Sequence, residues 1–150
     1  MKQSLHTGFT LVELVTTIIL IAILAVTVLP RLFTTSNYSA FTLRDEFIAE
    51  LRKVQLMAMN NQDRCYRINV DDSQYQTLVL QSDCATSVRN RDPQPLHNGT
   101  SLKLSGARNF ALQFTTSGTI TACAGGCSID VVADDSLTLT IESQGYIHGR

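Results

Sequence analysis

Tryptophan is absent from this 150-residue chain, and its four tyrosines and six phenylalanines are dispersed rather than clustered. No group of large aromatic faces is therefore on offer for stacking against a sugar ring. An excess of one charge is missing as well: 12 Lys+Arg face 13 Asp+Glu, a net charge of −1. Leaving out Lys2, Arg31 and Glu13, the chain beyond residue 33 keeps ten basic and twelve acidic side chains. Proteins that hold nucleic acid usually advertise a clustered basic excess, and nothing in this balance demands a polyanionic partner. Catalytic signatures are also lacking. There is no G-x-S-x-G, no H-E-x-x-H, no phosphate-binding glycine loop and no cysteine near a histidine. His6, His97 and His148 show no ligand spacing. The chain reads as a non-enzyme with neither cofactor nor metal.

What is present begins with four cysteines, Cys65, Cys84, Cys123 and Cys127. Three pairings are open. Only "CAGGC" has the knuckle-like spacing that zinc sites prefer, so disulfides are favoured over a metal if the domain lies outside the cytoplasm. A Cys123–Cys127 bridge would staple a Gly-Gly turn, and a Cys65–Cys84 bridge would tie neighbouring strands. The longer loop removes more unfolded-state entropy and should stabilise more.

The run "VTTIILIAILAVTVLP", Val15 to Pro30, carries no charge. The uncharged helix from Leu14 to Pro30 would cover roughly 25 Å, against about 30 Å of bilayer hydrocarbon. Phe9–Val12 and Leu32–Phe33 close the gap, and the segment 9–33 then includes Glu13. A cleaved secretory signal would end in small residues after its apolar core, and Ser39-Ala40 is a poor match that lies far downstream. Lys2 ahead of the run favours keeping that end in the cytoplasm and sending the remainder across.

Beyond a polar break, "TTSNYS", Leu43, Phe47, Leu51, Val54 and Ala58 recur at helical spacing. This amphipathic helix should end near "NNQD", whose asparagines favour turns. Period-two patterns follow. "RCYRINV" and "QYQTLVLQS" predict a hairpin turning at Asp71-Asp72-Ser73, and "VRNRDPQPLHNGT" predicts a polar loop. "SLKLSG" and "NFALQFTTSGTITA" predict strands around turns at Gly106 and Gly118. "SIDVVAD" and "SLTLTIESQGYI" predict a last hairpin linked at Asp134-Asp135. Both aspartate pairs read as turn acids rather than calcium ligands, which need several spaced oxygens. Helix first and antiparallel strands afterwards means an α+β domain: residues 34–62 as the break and helix, residues 63–150 as the β domain.

"GFTLVEL" followed by the uncharged run and Pro30 resembles the N-terminal signal of type IV pilins and type II secretion pseudopilins. The strong resemblance covers about residues 1–33. It implies a leader, 1–8, cut by a prepilin peptidase between Gly8 and Phe9. It further implies N-methylation of Phe9, a subunit-register role for Glu13 and a helix kink at Pro30. Inner-membrane lipid would hold the subunit before extraction, and an inner-membrane assembly platform and other pilin or pseudopilin subunits would be its partners. The domain would stand in the periplasm. An acid near the middle of a membrane helix costs roughly 2.5–3.5 kcal/mol on insertion scales. Within a filament, Glu13 would answer that cost by pairing with the Phe9 ammonium of a neighbouring subunit, in a geometry that must be good enough to offset desolvation. The alternative is that Glu13 sits at headgroup level in a bitopic, non-assembling periplasmic protein.

"LRDEFIAELRKVQLMAMNNQ" and the ending "LTLTIESQGYI" resemble the GspH/FimT-type minor pseudopilins, and the cysteines resemble those of MSHA-type minor pilins, the MshC-like member included. The implied fold is the pilin fold, a long N-terminal helix on an antiparallel sheet. The FimT likeness raises DNA binding as a further alternative. It would fall to Arg64, Arg67, Arg89, Arg91 and Arg150, with Tyr66 and Tyr146 stacking. The domain's slight negative balance argues against DNA as a partner.

Overall fold

Backbone is described here for residues 10–33 and 39–149 of a computed structural model, and side chains for the same residues apart from 27–33. The chain falls into two compact units, Met1–Ser36 and Asn37–Arg150. Among its described residues the first holds one helix, α1 (Leu11–Phe33). The second opens with α2 (Ala40–Asn60), whose start is fixed by Ser39, the side chain of which accepts a hydrogen bond from the Phe41 N–H. Ser39 belongs to the expected polar break; the rest of that break, residues 34–38, lies outside the described residues.

α2 forms where the helical spacing predicts it, and Leu43, Phe47, Leu51, Val54 and Ala58 are all buried. The helix stops where Asn61 turns extended (φ −138°, ψ 112°). Two antiparallel sheets share its apolar stripe. One contains β1 (Cys65–Val70), β2 (Gln74–Leu80), β3 (Ser87–Asn90), β4 (Gln94–Pro95) and β6 (Phe110–Phe114), in the order β3-β2-β1-β6 with β4 also on β2. The other contains β5 (Ser101–Leu104), β7 (Cys127–Val132), β8 (Ser136–Ile141) and β9 (Ile147–Gly149), in the order β5-β7-β8-β9. Strand alternation turns Tyr66, Ile68, Val70, Leu112 and Phe114 of the first sheet into the core, and Ile129, Val131, Leu139 and Ile141 of the second. Phe47 meets Tyr75 edge to face at 5.1 Å, a geometry aromatic quadrupoles favour. Burial, then the nearby Glu46 and Glu50, push the Tyr75 hydroxyl up to about 12, so the core keeps a neutral phenol there.

Both expected hairpins are present. β1 and β2 pair in register from Cys65↔Leu80 to Val70↔Tyr75. Their turn is organised by Asp71, whose Oδ1 accepts from the Ser73 N–H, the Ser73 hydroxyl and the Gln74 N–H at 2.7–2.9 Å. These bonds, the Ser73 N–H foremost, hold the Asp71 carboxyl below its usual range. Their contribution is present above the ordinary carboxylate pKa and is lost as pH falls through the lowered one. Two expectations need correction. The polar stretch 88–100 is not loop throughout, because β3 runs into it and β4 lies within it. Both are edge strands with every residue exposed, so no alternation marks them, and Arg, Asn and Pro disguise them further. The turn expected at Gly118 is present, closed between Thr115 and Thr119, but the strand expected after it is not: Ile120 makes a single bridge to Phe114, the end of β6, and leads into a 3₁₀ turn, Thr121–Cys123.

The sheets are tied to α2 by polar contacts as well. The Gln55 side-chain amide donates to the carbonyls of Gly118 and Gly145 at 2.6 and 2.7 Å, joining a turn of each sheet to the helix. Gly145 has φ +87°, and a Cβ there would stand 2.5 Å from the Gly118 carbonyl oxygen. Asp134 does more than turn the chain. Its Oδ1 accepts the Ala40 N–H at 2.7 Å, satisfying an orphan donor of α2's first turn from the β7–β8 connection. Cys65–Cys84 and Cys123–Cys127 are disulfides, each with Cα atoms 5.1 Å apart. Cys84 lies beyond the end of β2, so the first bridge ties β1 to the β2–β3 connection rather than strand to strand.

Gly145→Ala is expected to lower stability by more than about 1 kcal/mol, because strained φ and backbone contact act together; thermal unfolding of the full chain measures it. Replacing Cys65 and Cys84 by serine should cost about 3 kcal/mol and replacing Cys123 and Cys127 about 2 kcal/mol. Denaturant titration of the two double variants gives the ranking.

Candidate functional site

α1 opens at Thr10. Its Oγ1 accepts the Glu13 N–H at 3.2 Å, and its carbonyl accepts the Leu14 N–H at 3.1 Å. Thr10 is thus the helix cap, and Glu13 stands three residues on, the spacing of a capping box. A carboxylate in the first turn also faces the positive end of the helix dipole. This gives Glu13 a local reason for its position that the sequence reading did not extract, although T-x-x-E was there to be read. Thr16 and Thr17 donate their hydroxyls to the carbonyls of Glu13 and Leu14 at 3.0 and 2.8 Å. The two polar side chains are thereby satisfied inside an apolar helix.

Beyond these groups, the described side chains of α1, residues 11–26, present hydrocarbon in every direction. Leu11, Leu14, Ile18, Ile21, Leu24 and Val26 are exposed, and across the described large apolar residues the exposure runs from 40% at Val15 to 78% at Leu11. Soluble amphipathic helices show one apolar stripe, whereas a helix apolar all round belongs inside other apolar matter. Among the described residues no helix is long and apolar enough to cross a membrane; those of α1 with described side chains, 11–26, cover only roughly 24 Å. The cleavage pair Gly8 and Phe9 lies outside the described residues. α1 continues through Pro30 to Phe33, and the Pro30 side chain is likewise outside them.

Of the residues considered for DNA, Arg64, Arg89, Arg91 and Tyr66 line one cleft. The others are elsewhere. Arg67 donates to the Cys84 carbonyl at 2.9 Å and to Gln113 Oε1 at 2.8 Å. Tyr146 stacks on His148 at 5.1 Å, and His148 Nε2 lies 3.1 Å from Glu142 Oε1. Arg150 is outside the described residues. His97 sits in a turn where its carbonyl accepts the Thr100 N–H and hydroxyl. Among the described residues no three His, Cys, Asp or Glu side chains converge as metal ligands would.

No family model and no curated protein matches the chain. Two solved structures do, both of the type IV minor pilin FimU of Pseudomonas aeruginosa strain PAO1, in space groups P21 and P65. The first aligns with a TM-score of 0.52 over 71% of this chain and 84% of that one, at 21% identity. The second aligns with a TM-score of 0.50 over 71% and 89%, again at 21% identity. At this level of identity the likeness is one of fold: the chain shares the α+β pilin architecture of FimU.

Proposed function

We propose that the chain is a minor pilin or pseudopilin subunit that enters, or primes the assembly of, a type IV pilus or type II secretion pseudopilus. The observation that carries this reading is α1, whose described side chains, residues 11–26, expose hydrocarbon on all faces with one acid in the first turn. The pilin fold shared with FimU supports it. The prepilin is held in inner-membrane lipid by residues 9–33, cut by a prepilin peptidase between Gly8 and Phe9, and methylated on Phe9. The assembly platform then draws it out, and α1 exchanges lipid for the helices of neighbouring subunits. Burying a Leu, Ile or Val side chain is worth about 1.5–3 kcal/mol relative to water, so exposure of α1 to water at any stage is strongly disfavoured. Two disulfides suit a domain that matures in the oxidising periplasm.

Glu13 serves twice in this scheme. Beside the helix N-terminus its charge is eased within the subunit; between packed helices it pairs with the Phe9 ammonium of a neighbour and fixes axial register. A buried pair that loses one partner leaves the other uncompensated, at a cost of about 3–5 kcal/mol.

Mass spectrometry of the mature chain is expected to find an N-terminus beginning at methylated Phe9. A chain that retains residues 1–8 inside assembled filaments would sink the proposal, and a retained leader without filaments would identify a bitopic anchor instead. In Glu13→Ala, processing at Gly8 should persist while the subunit's share of sheared filaments drops by more than roughly tenfold. Immunoblots of the sheared fraction read this out, and an unchanged share would end the register role.

A further inference from the structure

The sheet that contains β3 extends past α2, leaving a groove between the helix and that edge strand. Its walls follow from register. Tyr66, Val79 and Arg89 stand opposite one another across β1, β2 and β3, so all three side chains project from the helix-covered face. Tyr66 is covered and Arg89 is not. The β2–β3 pairing shifts register between Val79 and Leu80, which pair with Arg89 and Ser87. Val88 is the extra residue, and Val88 and Arg89 line the same cleft. Bulges re-aim side chains in this way and are over-represented beside functional sites. The cleft has a volume of about 360 Å³, and Arg64, Arg89 and Arg91 stand around Met57, Tyr66 and Val88.

No acidic side chain lines this cleft, and among the described residues none of the three arginines joins an ion pair. Arg91 instead sets a guanidinium nitrogen 3.2 Å from Met57 Sδ. Three cations gathered without a carboxylate stand out in a unit whose acids outnumber its bases. Farther along, the groove keeps Arg89 and Arg91, gains Lys53 and becomes mixed in sign. There Glu50 and Asp92 appear, with Glu50 held by Lys53 at 2.6 Å and by the Thr77 hydroxyl at 2.8 Å.

We infer that the Arg64–Arg89–Arg91 end of the α2–β3 groove is a docking site for a short acidic segment of a partner protein, carboxylates flanking an apolar side chain. Guanidinium forks match carboxylates bidentately, and Tyr66, Val88 and Met57 give an apolar side chain a floor. Farther along, Glu50 and Asp92 join Lys53, Arg89 and Arg91 in the lining, so the stretch free of carboxylates is short and suits a short acidic segment better than a long polyanion. β3 is the end strand of its sheet, so an extended segment beside it also finds backbone donors and acceptors. The site belongs to the unit Asn37–Arg150 and does not depend on what α1 packs against.

The test is fluorescence polarisation with the detergent-solubilised full chain. The probe is a fluorescein-labelled hexapeptide of sequence Glu-Asp-Leu-Glu-Asp-Val, with its Gln/Asn counterpart and single-stranded oligothymidylate as comparison ligands. The acidic peptide should bind more tightly than either, and the double variant Arg89→Ala/Arg91→Ala should weaken it by roughly tenfold or more, as expected for losing hydrogen bonds to charged groups. Arg108→Ala, remote from the cleft, should leave binding unchanged. Arg89→Lys should lose part of the affinity while keeping the charge. Thermal midpoints of all variants confirm that each is folded. Three results would overturn the assignment: no peptide binding, binding indifferent to the arginines, or tighter binding of the oligothymidylate, which would give the cleft to nucleic acid.

Discussion

One apolar stripe on α2 closes two sheets at once, and the second unit depends on that double duty. Leu43, Phe47, Leu51, Val54 and Ala58 are at most 2% exposed, which a helix lying on a single sheet edge would not achieve. The strands need the helix as much as it needs them. Their inward faces supply Ile68, Leu112, Ile129, Val131, Leu139 and Ile141, and sheets of four or five short strands gain independent stability only by packing a hydrophobic face. Gln55 stands next to the stripe and bonds a turn of each sheet, so the polar contacts follow the same plan as the apolar ones.

The two helices obey opposite rules within one chain. α2 sets one buried apolar stripe apart from faces that carry Arg52, Lys53 and Asp45, where Phe41, Leu56 and Met59 are exposed as well. α1 makes no such separation. Its polar groups are disposed of locally instead, the threonine hydroxyls on carbonyls of the preceding turn and Glu13 beside the Thr10 cap. Over its described side chains, residues 11–26, such a helix satisfies its hydroxyl groups within itself and leaves hydrocarbon and the Glu13 carboxylate to be covered.

Legibility differed by element for physical reasons. α2 and the β1–β2 and β7–β8 hairpins were readable because half of each is buried, and burial writes a period into the sequence. β3 and β4 were not, since strands exposed on both faces carry no period; only pairing with β2 makes them strands. Cysteine spacing pointed to disulfides, whereas the placement of Cys84 beyond β2 depended on a turn that spacing does not define. Asp134 was legible as a turn residue but not as the cap of a helix 94 positions away, because that contact exists only once the sheet has folded onto α2. The arginine cleft was half legible. Arg64, Arg89, Arg91 and Tyr66 do converge, but Arg67 alternates to the opposite face and Tyr146 belongs to a different turn.

The Asp134 contact has a mechanical side. Tension entering the second unit at Ser39 would ordinarily peel a helix from its first turn, one hydrogen bond at a time. Here the Ala40 amide is moored to the β7–β8 turn, whose strands are registered from Cys127↔Ile141 to Val132↔Ser136. A pull on the chain at that point is shared with a whole sheet from the outset, so fraying at the head of α2 has to break the mooring before it can begin.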